Sequence, residues 1–205
     1  MYARLNVIGF KPEAIPVALE RYRSTTLQMI QSWPGYLATF AMAQRATGKV
    51  LMMSLWESAE HRDASGLRVD YVQDLASYGD MMAGSMARES HEVRVSTLRD
   101  ATPADATGRF WARVTTGEVP PTHWDDALGM LSPIVADSGD NRSHQGSMML
   151  VNPMLSKIVI IGVWDSRRAI TMTDDEVHAQ AYLVRRSGFL ASSPTHEVFE
   201  IVSWG

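Results

Sequence analysis

The chain of 205 residues is 45% hydrophobic and 20% charged, a balance typical of a folded globular protein and not of a disordered one. Its 19 basic and 23 acidic residues give a net charge of −4, so no overall positive field attracts phosphates, and we predict no nucleic-acid partner. The chain has no cysteine, which excludes disulfides and thiolate chemistry, and no leader pattern or long apolar run follows Met1, so we predict a cytoplasmic protein that does not bind membranes.

The first half of the sequence predicts the element order β-α-β-β-α-β. Residues 2–10 alternate as a strand does, Pro12 suits the first turn of a helix, and the Trp33-Pro34-Gly35 sequence ends that helix. Thr47-Gly48 marks a hairpin turn between two strands. We predict strands at about 2–10, 36–44, 49–57 and 89–98, and helices at about 12–33 and 59–83.

The second half repeats this plan. We predict strands at about 110–118, 143–151, 157–165 and 197–203, a helix that Pro120-Pro121 opens, and a second helix at 173–187 with a capped start at Thr173. Residues 99–108 contain no large apolar side chain and are predicted to be a linker. The predicted domains are therefore 1–98 and 109–205.

Three sequence echoes indicate that the halves are copies of one another. The segment GKVLMMSLWES at 48–58 returns as SKIVIIGVWDS at 156–166, and residues 3–6 return at 112–115. His91-Glu92-Val93 also returns as His196-Glu197-Val198. Three echoes in the same order indicate a tandem duplication of one small domain.

The strand at 157–164 predicts how the copies are arranged. Ile158 and Ile160 lie on one face, and Val159, Ile161 and Val163 lie on the other, so both faces require burial. Helices can cover only one of these faces. We therefore predict an α+β fold in which two ferredoxin-like βαββαβ domains close a barrel within one chain.

The sequence resembles the dimeric α+β barrel superfamily, and within it the antibiotic biosynthesis monooxygenase type of domain. The resemblance lies in the element order, in Asn6 of the first strand, and in Leu55-Trp56-Glu57-Ser58 with its counterpart Val163-Trp164-Asp165-Ser166. Domains of this type normally form homodimers, which implies that this chain is both halves fused into a pseudo-dimer. We leave open whether the pseudo-dimer pairs again into a homodimer.

The resemblance implies an active site. Asn6 and Trp56 match the asparagine and tryptophan that oxygenases and haem-degrading members of the superfamily place in their pocket, which implies a catalytic role for both. Thr115 replaces Asn6 in the second copy, which predicts that the copies have diverged. The ligand histidine of haem-degrading members has no counterpart near Gly66, and His178 lies about one helical turn too late.

Other polar residues are candidates for substrate binding. Arg4 lies on the strand face of Asn6, Arg113 lies on that of Thr115, and such groups inside a barrel favour a wet cavity or ligand site. The alternative is that both arginines form structural ion pairs, with Glu92 or Glu197 as partners. Two further candidates on the second copy are Trp164, as a wall for an aromatic ring, and His144, as a base.

The resemblance implies an enzyme that oxygenates an aromatic or polyketide-type small molecule without a cofactor. Amide and indole N–H donors such as those of Asn6 and Trp56 suit the negative charge of an enolate. The spacing of the six histidines predicts no metal site. Two alternatives remain: a haem-binding or haem-degrading protein, and a protein that binds a small ligand without catalysis.

Overall fold

The eight strands form the barrel that the sequence predicts. The computed structural model describes residues 1–98, 110–137, 143–172 and 188–205. Within them the strands are Tyr2–Gly9 (β1), Tyr36–Gln44 (β2), Lys49–Trp56 (β3), Ala87–Ser96 (β4), Phe110–Glu118 (β5), His144–Asn152 (β6), Lys157–Trp164 (β7) and Thr195–Trp204 (β8). They are hydrogen-bonded in the order β1-β3-β2-β8-β5-β7-β6-β4, which is a closed barrel. The predicted α+β barrel of two ferredoxin-like copies is confirmed.

The helices of the described residues are short. They are Ile15–Arg21 (α1), Leu27–Gln31 (α2), Ala59–Gly66 (α3), Val69–Ala76 (α4), Trp124–Ala136 (α5) and Arg167–Met172 (α6). A π-helical turn, Tyr22–Thr26, joins α1 to α2. Single 3₁₀ turns lie at Pro12–Ala14, Gly79–Met81, Pro121–His123 and Pro153–Leu155. None of these helices has the length and apolarity needed to cross a membrane.

The helix predicted over 59–83 is wrong as a single element. It is two helices and a 3₁₀ turn, because α3 ends at Gly66 and Arg68 adopts an extended backbone. Leu67, which lies within this predicted helix, is 83% exposed, whereas Tyr71 and Tyr78 are buried. The physical reason is that α3 carries no large apolar side chain, so no continuous apolar face extends across the break. The predicted linker at 99–108 and the predicted helix at 173–187 lie outside the described residues.

The two copies have equivalent strand registers. In the first copy β1 and β3 pair antiparallel, and in the second copy β5 and β7 do the same. The equivalent pairs nearest the candidate site are Arg4↔Ser54 with Arg113↔Gly162, and Asn6↔Met52 with Thr115↔Ile160. The structure therefore confirms that the sequence echoes correspond to equivalent positions.

The last strand of each copy pairs outside its own copy. Strand β8 pairs with β2, and β4 pairs with β6. The described residues accordingly form two compact units. Unit 1 contains Met1–His91 and Glu200–Gly205, and unit 2 contains the described residues from 92 to 199.

Both faces of β7 are buried, as its sequence predicts. Val159, Ile161 and Val163 are almost completely inaccessible on one face. On the other face Ile158 is buried and Ile160 is partly buried, and both pack in the cluster that includes residues of α5. Burial of both faces is what an apolar strand without alternation requires.

Candidate functional site

A cavity in unit 1 lies between the sheet and the helices that cover it. Its empty space, including the part open to solvent, is about 730 Å³. Strands β1, β2 and β3 supply one wall, and the π-helical turn and α4 supply the other. Its lining is mainly aromatic and sulfur-containing, with the rings of Phe10, Tyr22, Trp33, Trp56, Tyr71 and Tyr78 and the thioethers of Met52, Met53, Met82 and Met86.

Asn6 lies on the wall of this cavity, on the face of β1 that the helices cover. The sequence placed this face inside the barrel, and that expectation is wrong, because the side chains opposite Asn6 come from helices. Asn6 is 6% exposed, and its Nδ2 lies 3.5 Å from the Tyr71 hydroxyl, at the limit of a hydrogen bond. Its Oδ1 is buried and has no hydrogen-bond partner among the described residues.

Arg4 lies beside Asn6 and is 4% exposed. Its Nη1 donates to Ser65 Oγ at 2.8 Å, its Nη2 donates to the carbonyl of Arg62, and its Nε has no partner among the described residues. Burial lowers the pKa of the guanidinium, and the neighbouring Arg88 acts in the same direction. The predicted alternative of an ion pair with Glu92 or Glu197 does not describe Arg4, whose partners here are a hydroxyl and a carbonyl.

Trp56 also lines the cavity, but its indole N–H is already used. The Nε1 atom donates to Ser54 Oγ at 3.0 Å. The ring is stacked with Trp33, with centroids 6.4 Å apart, and Tyr36 meets it edge-on at 5.9 Å. Trp56 is therefore a rigid aromatic wall, and Asn6 is the better placed of the two predicted donors. Their catalytic roles stay a prediction.

The arginine of the second copy repeats one contact of the first. Arg113 donates to the carbonyl of Ile170 at 2.7 Å, at the position equivalent to the contact between Arg4 and Arg62. Each arginine thus holds the helix that follows the third strand of its copy. This shared contact gives both arginines a structural role, in addition to any role in binding.

The other predicted residues of the second copy have local partners in unit 2. The Thr115 hydroxyl lies 2.9 Å from His196 Nδ1. The His144 ring lies 4.9 Å from the Trp164 ring, and its Nε2 is 3.0 Å from Ser147 Oγ. None of them lines the cavity of unit 1. Their assignment to substrate binding stays a prediction.

Trp164 lies over a glycine. A Cβ added to Gly162 would come within 2.4 Å of the indole ring. The ring therefore occupies the position where Ser54 carries its side chain in the first copy. The Trp164 N–H is buried without a hydrogen-bond partner among the described residues, and Arg113 lies 5.3 Å above the ring.

The sequence analysis missed a polar group at the other side of the cavity. Thr26 Oγ1 lies 2.6 Å from the Tyr78 hydroxyl and donates to Asp74 Oδ2 at 2.5 Å. Tyr22 Oη faces Thr39, and burial raises its pKa. The sequence contains one indication of this polar group. Leu131 and Val135 stand 109 residues after Tyr22 and Thr26, at buried positions of α5. At this spacing the first copy has hydroxyl-bearing side chains, whereas the second copy has apolar ones.

Metal and haem ligands are scarce around the cavity. Within the described ranges no three His, Asp or Glu residues form a cluster that could hold a metal ion. No histidine of the described part of the chain lines the cavity, so the residues described there do not fit the histidine ligation of a haem. His178 lies outside the described residues.

Comparison with known proteins yields distant relatives. No model of a known protein family matches the sequence. An uncharacterized protein of Mycobacterium tuberculosis H37Rv is 24% identical over 190 residues, which cover 92% of this chain and 82% of that protein. A second uncharacterized protein of the same strain is 27% identical over 93 residues, or 45% of this chain and 39% of that protein.

Solved structures share the fold over nearly the whole chain. A candidate monooxygenase from Fusobacterium nucleatum has a TM-score of 0.79 at 9% identity and covers 99% of this chain and 93% of its own. An anthrone oxidase-like protein has a TM-score of 0.71 at 16% identity, covering 100% and 92%. The chain shares the α+β barrel fold of these proteins. A haem-degrading enzyme of Listeria monocytogenes shares this fold at a TM-score of 0.53 and 10% identity, covering 98% and 99%. The structural likeness establishes the fold, but sequence identities this low leave the activity open.

Proposed function

We propose that the cavity of unit 1 binds a planar aromatic ketone whose acidic methylene group is conjugated with the carbonyl, and promotes its oxygenation by O₂ without a resident cofactor. One observation carries the proposal: on a cavity lined by aromatic rings, Asn6 Oδ1 and Arg4 Nε are buried and have no hydrogen-bond partner among the described residues. Buried polar atoms are normally hydrogen-bonded, so two such atoms on one apolar cavity favour a ligand that carries polar groups.

The proposed oxygenation depends on the positive charge of the buried Arg4 guanidinium. A buried guanidinium without a carboxylate partner stabilises an anion beside it, and a water-poor site strengthens the effect. The bound compound therefore loses its acidic proton more readily and becomes an enolate. The enolate supplies the electrons to O₂, so no external reductant is required. A methylene carbon gains one oxygen atom as a carbonyl, and the second oxygen atom leaves as water with the two hydrogens of that carbon.

The aromatic wall matches such a ligand. Trp33 and Trp56 present stacked rings, and Tyr71 meets Trp33 edge-on at 5.7 Å. Rings of this kind bind flat aromatic molecules through stacking and edge contacts. The likeness to an anthrone oxidase-like protein and to candidate monooxygenases supports the same class of ligand.

Oxygen uptake with anthrone tests the proposal. Asn6→Ala removes the Nδ2 donor, whose contact with Tyr71 is only a weak one at 3.5 Å, and we expect turnover to fall by about 10²-fold, the scale seen when one such donor is deleted. Trp56→Phe keeps a ring in the wall and removes an N–H that already bonds Ser54, so we expect a smaller loss. Thr47→Ala, in the exposed turn between β2 and β3, is the control. Thermal melts of all four proteins separate activity from stability.

Three results would contradict the proposal. Anthrone binding without oxygen uptake would favour a ligand-binding protein that does not catalyse. A Soret band on titration with hemin, together with loss of that band in a cavity variant, would favour the haem alternative. Loss of stability in proportion to loss of activity in Asn6→Ala would also remove the catalytic assignment.

A further inference from the structure

Three oxygen atoms lead from the cavity of unit 1 into α4 and its following turn. Tyr78 and Thr26 both line the cavity, and their oxygens are 2.6 Å apart. Thr26 Oγ1 then lies 2.5 Å from Asp74 Oδ2. An ionised carboxylate can only accept hydrogen bonds, so Thr26 donates to Asp74. The single hydroxyl hydrogen of Thr26 is then used, and Tyr78 donates to Thr26.

The direction of these bonds leaves the Tyr78 oxygen free to accept a proton from the cavity. Burial raises the pKa of Tyr78 to about 12, so the phenol stays neutral at physiological pH. A neutral phenol accepts a hydrogen bond with its oxygen while it donates its own hydrogen. The chain is therefore oriented to move a proton away from the cavity and toward Asp74.

Asp74 connects this chain of hydrogen bonds to solvent. Its carboxylate is buried, and its Oδ1 lies 3.3 Å from Nη2 of Arg21, whose side chain is 39% exposed. Among the described residues, the charged and titratable groups that face this end of the cavity are Arg21 from α1, Tyr22 from the π-helical turn, Tyr71 and Asp74 from α4, and Tyr78. Arg21 also lies 5.5 Å above the Tyr78 ring.

The second copy shows that the fold does not need this chain of hydrogen bonds. Val135 stands at the position equivalent to Thr26, and it packs in the core of unit 2 together with Leu131. The same helix therefore covers the same sheet face with apolar side chains. In unit 1 the π-helical turn carries Thr26 and Tyr22 onto the cavity, and π-helical turns recur at functional sites.

We propose that Tyr78, Thr26 and Asp74 form a proton relay that removes the acidic hydrogen of a ligand in the cavity. This proposal rests on the proposed function, because it supplies the base that the oxygenation requires. The ligand proton passes to the Tyr78 oxygen as the Tyr78 hydrogen passes to Thr26 and the Thr26 hydrogen passes to Asp74. The ligand is left as the enolate and Asp74 as the neutral acid, which later releases its proton to solvent beside Arg21.

Deuterium loss under nitrogen tests the relay separately from the oxygen step. The probe is anthrone deuterated at its methylene carbon, and NMR follows its exchange in water without O₂. The wild type should accelerate exchange over buffer. Asp74→Asn keeps the shape of the acceptor but removes the base, and we expect exchange to slow by about 10²-fold, the usual contribution of a general base.

Two further variants interrupt the same chain. Thr26→Val installs the residue of the second copy, and Tyr78→Phe removes the phenol oxygen. We expect each to slow exchange as much as Asp74→Asn, and the double variant Asp74→Asn/Thr26→Val to be no slower than either, because residues that act as a unit are not additive. Anthrone binding, measured by tryptophan fluorescence, should stay close to that of the wild type.

A pH profile distinguishes the relay from a structural role. The relay ends on a carboxylate that accepts the proton, so any rise of the exchange rate with pH in the wild type should be absent in Asp74→Asn. The matched control is Asp70→Asn, an exposed carboxylate of the same helix that pairs with Arg68 at 3.0 Å. We expect its exchange rate and pH profile to match the wild type.

The outcomes separate the relay from the oxygenase proposal. Exchange that depends on all three residues, without oxygen uptake in air, would support the relay and overturn the oxygenation. Oxygen uptake in which the three variants match the wild type would overturn the relay and leave the oxygenation standing. No acceleration of exchange by the wild type would also overturn the relay.

Discussion

The two units carry the same tryptophan at the end of equivalent strands, yet the indoles lie differently. In unit 1 Ser54 accepts the N–H of Trp56, and the ring stands as a wall of the cavity. In unit 2 the residue two positions earlier is Gly162, and the ring of Trp164 lies over its Cα. A difference of one small side chain thus changes where an entire indole packs.

The helical segments that follow the first strand of each copy also differ. Unit 1 presents the hydroxyls of Tyr22 and Thr26 to the sheet, whereas unit 2 presents Leu131 and Val135. The apolar pair packs a core, and the polar pair faces a cavity. The comparison shows that the two copies have diverged in how this helix packs against its sheet.

The largest expected effect comes from removing the indole of Trp164 in unit 2. Trp164→Ala should lower the free energy of unfolding by about 3–5 kcal/mol, the usual result of truncating a buried tryptophan. Because an apolar hole is left, indole should bind there and recover part of the loss. Urea unfolding with and without indole measures both effects. A variant that is as stable as the wild type would show that Trp164 does not fill a core.

Alkaline pH should act on unit 1 first. The described residues of unit 2 contain no tyrosine, whereas in unit 1 burial raises the pKa of Tyr78 to about 12 and raises that of Tyr22 as well. Between pH 10 and 12 the unfolded chain loses tyrosyl protons that the folded chain retains, so stability falls as pH rises, by about 1.4 kcal/mol per pH unit for each such tyrosine at most.

Urea unfolding at pH 9, 10 and 11 tests this for Tyr78→Phe against the wild type. The variant should lose less stability over that interval, because one shifted group has been removed. Parallel curves for the two proteins would show that Tyr78 titrates alike in the folded and unfolded chains.

Gly162→Ser gives the second copy the residue of the first. The new Cβ would stand 2.4 Å from the Trp164 ring, and we expect a loss of about 1–3 kcal/mol, typical of overpacking. The loss should vanish in the background of Trp164→Ala, because the clashing ring is gone. A double-mutant cycle measures this coupling. Equal losses in both backgrounds would assign the effect to the backbone instead of to the indole.

The smallest expected effect is on stability when Asn6 and Thr115 exchange identities. Asn6→Thr should change the free energy of unfolding by about 1 kcal/mol or less, because the single hydrogen bond of the amide, 3.5 Å long, is weak. Thr115→Asn should change it as little, since its contact with His196 is exposed. Thermal melts are sufficient for both. A large loss in Asn6→Thr would mean that Asn6 supports the fold of unit 1.

Much of the fold was predictable, and particular residues show why. Trp33-Pro34-Gly35 ends a helix and Thr47-Gly48 turns a hairpin through local backbone preferences, which do not depend on distant residues. The double-sided burial of β7 also follows from its own sequence. The prediction failed at Leu67, because whether an apolar side chain faces a core depends on where the helix breaks and on what lies opposite.

The candidate site was predictable only in part. Asn6, Trp56 and Arg4 do line one cavity, but the face of β1 toward the helices carries them, and the sequence assigned that face to the barrel interior. Asp74 and Thr26 were missed, since 48 residues separate them and neither belongs to a motif. Only folding brings such pairs within hydrogen-bond distance.

The sequence by itself determined the duplication, the α+β barrel and the equivalence of Trp56 with Trp164, because repeats and alternation are properties of residues along the chain. The tertiary structure alone decided that one indole bounds a cavity and the other covers a glycine. That choice depends on contacts between strands and helices, where a hydroxyl of Ser54 or the bare Cα of Gly162 sets which packing has the lower free energy.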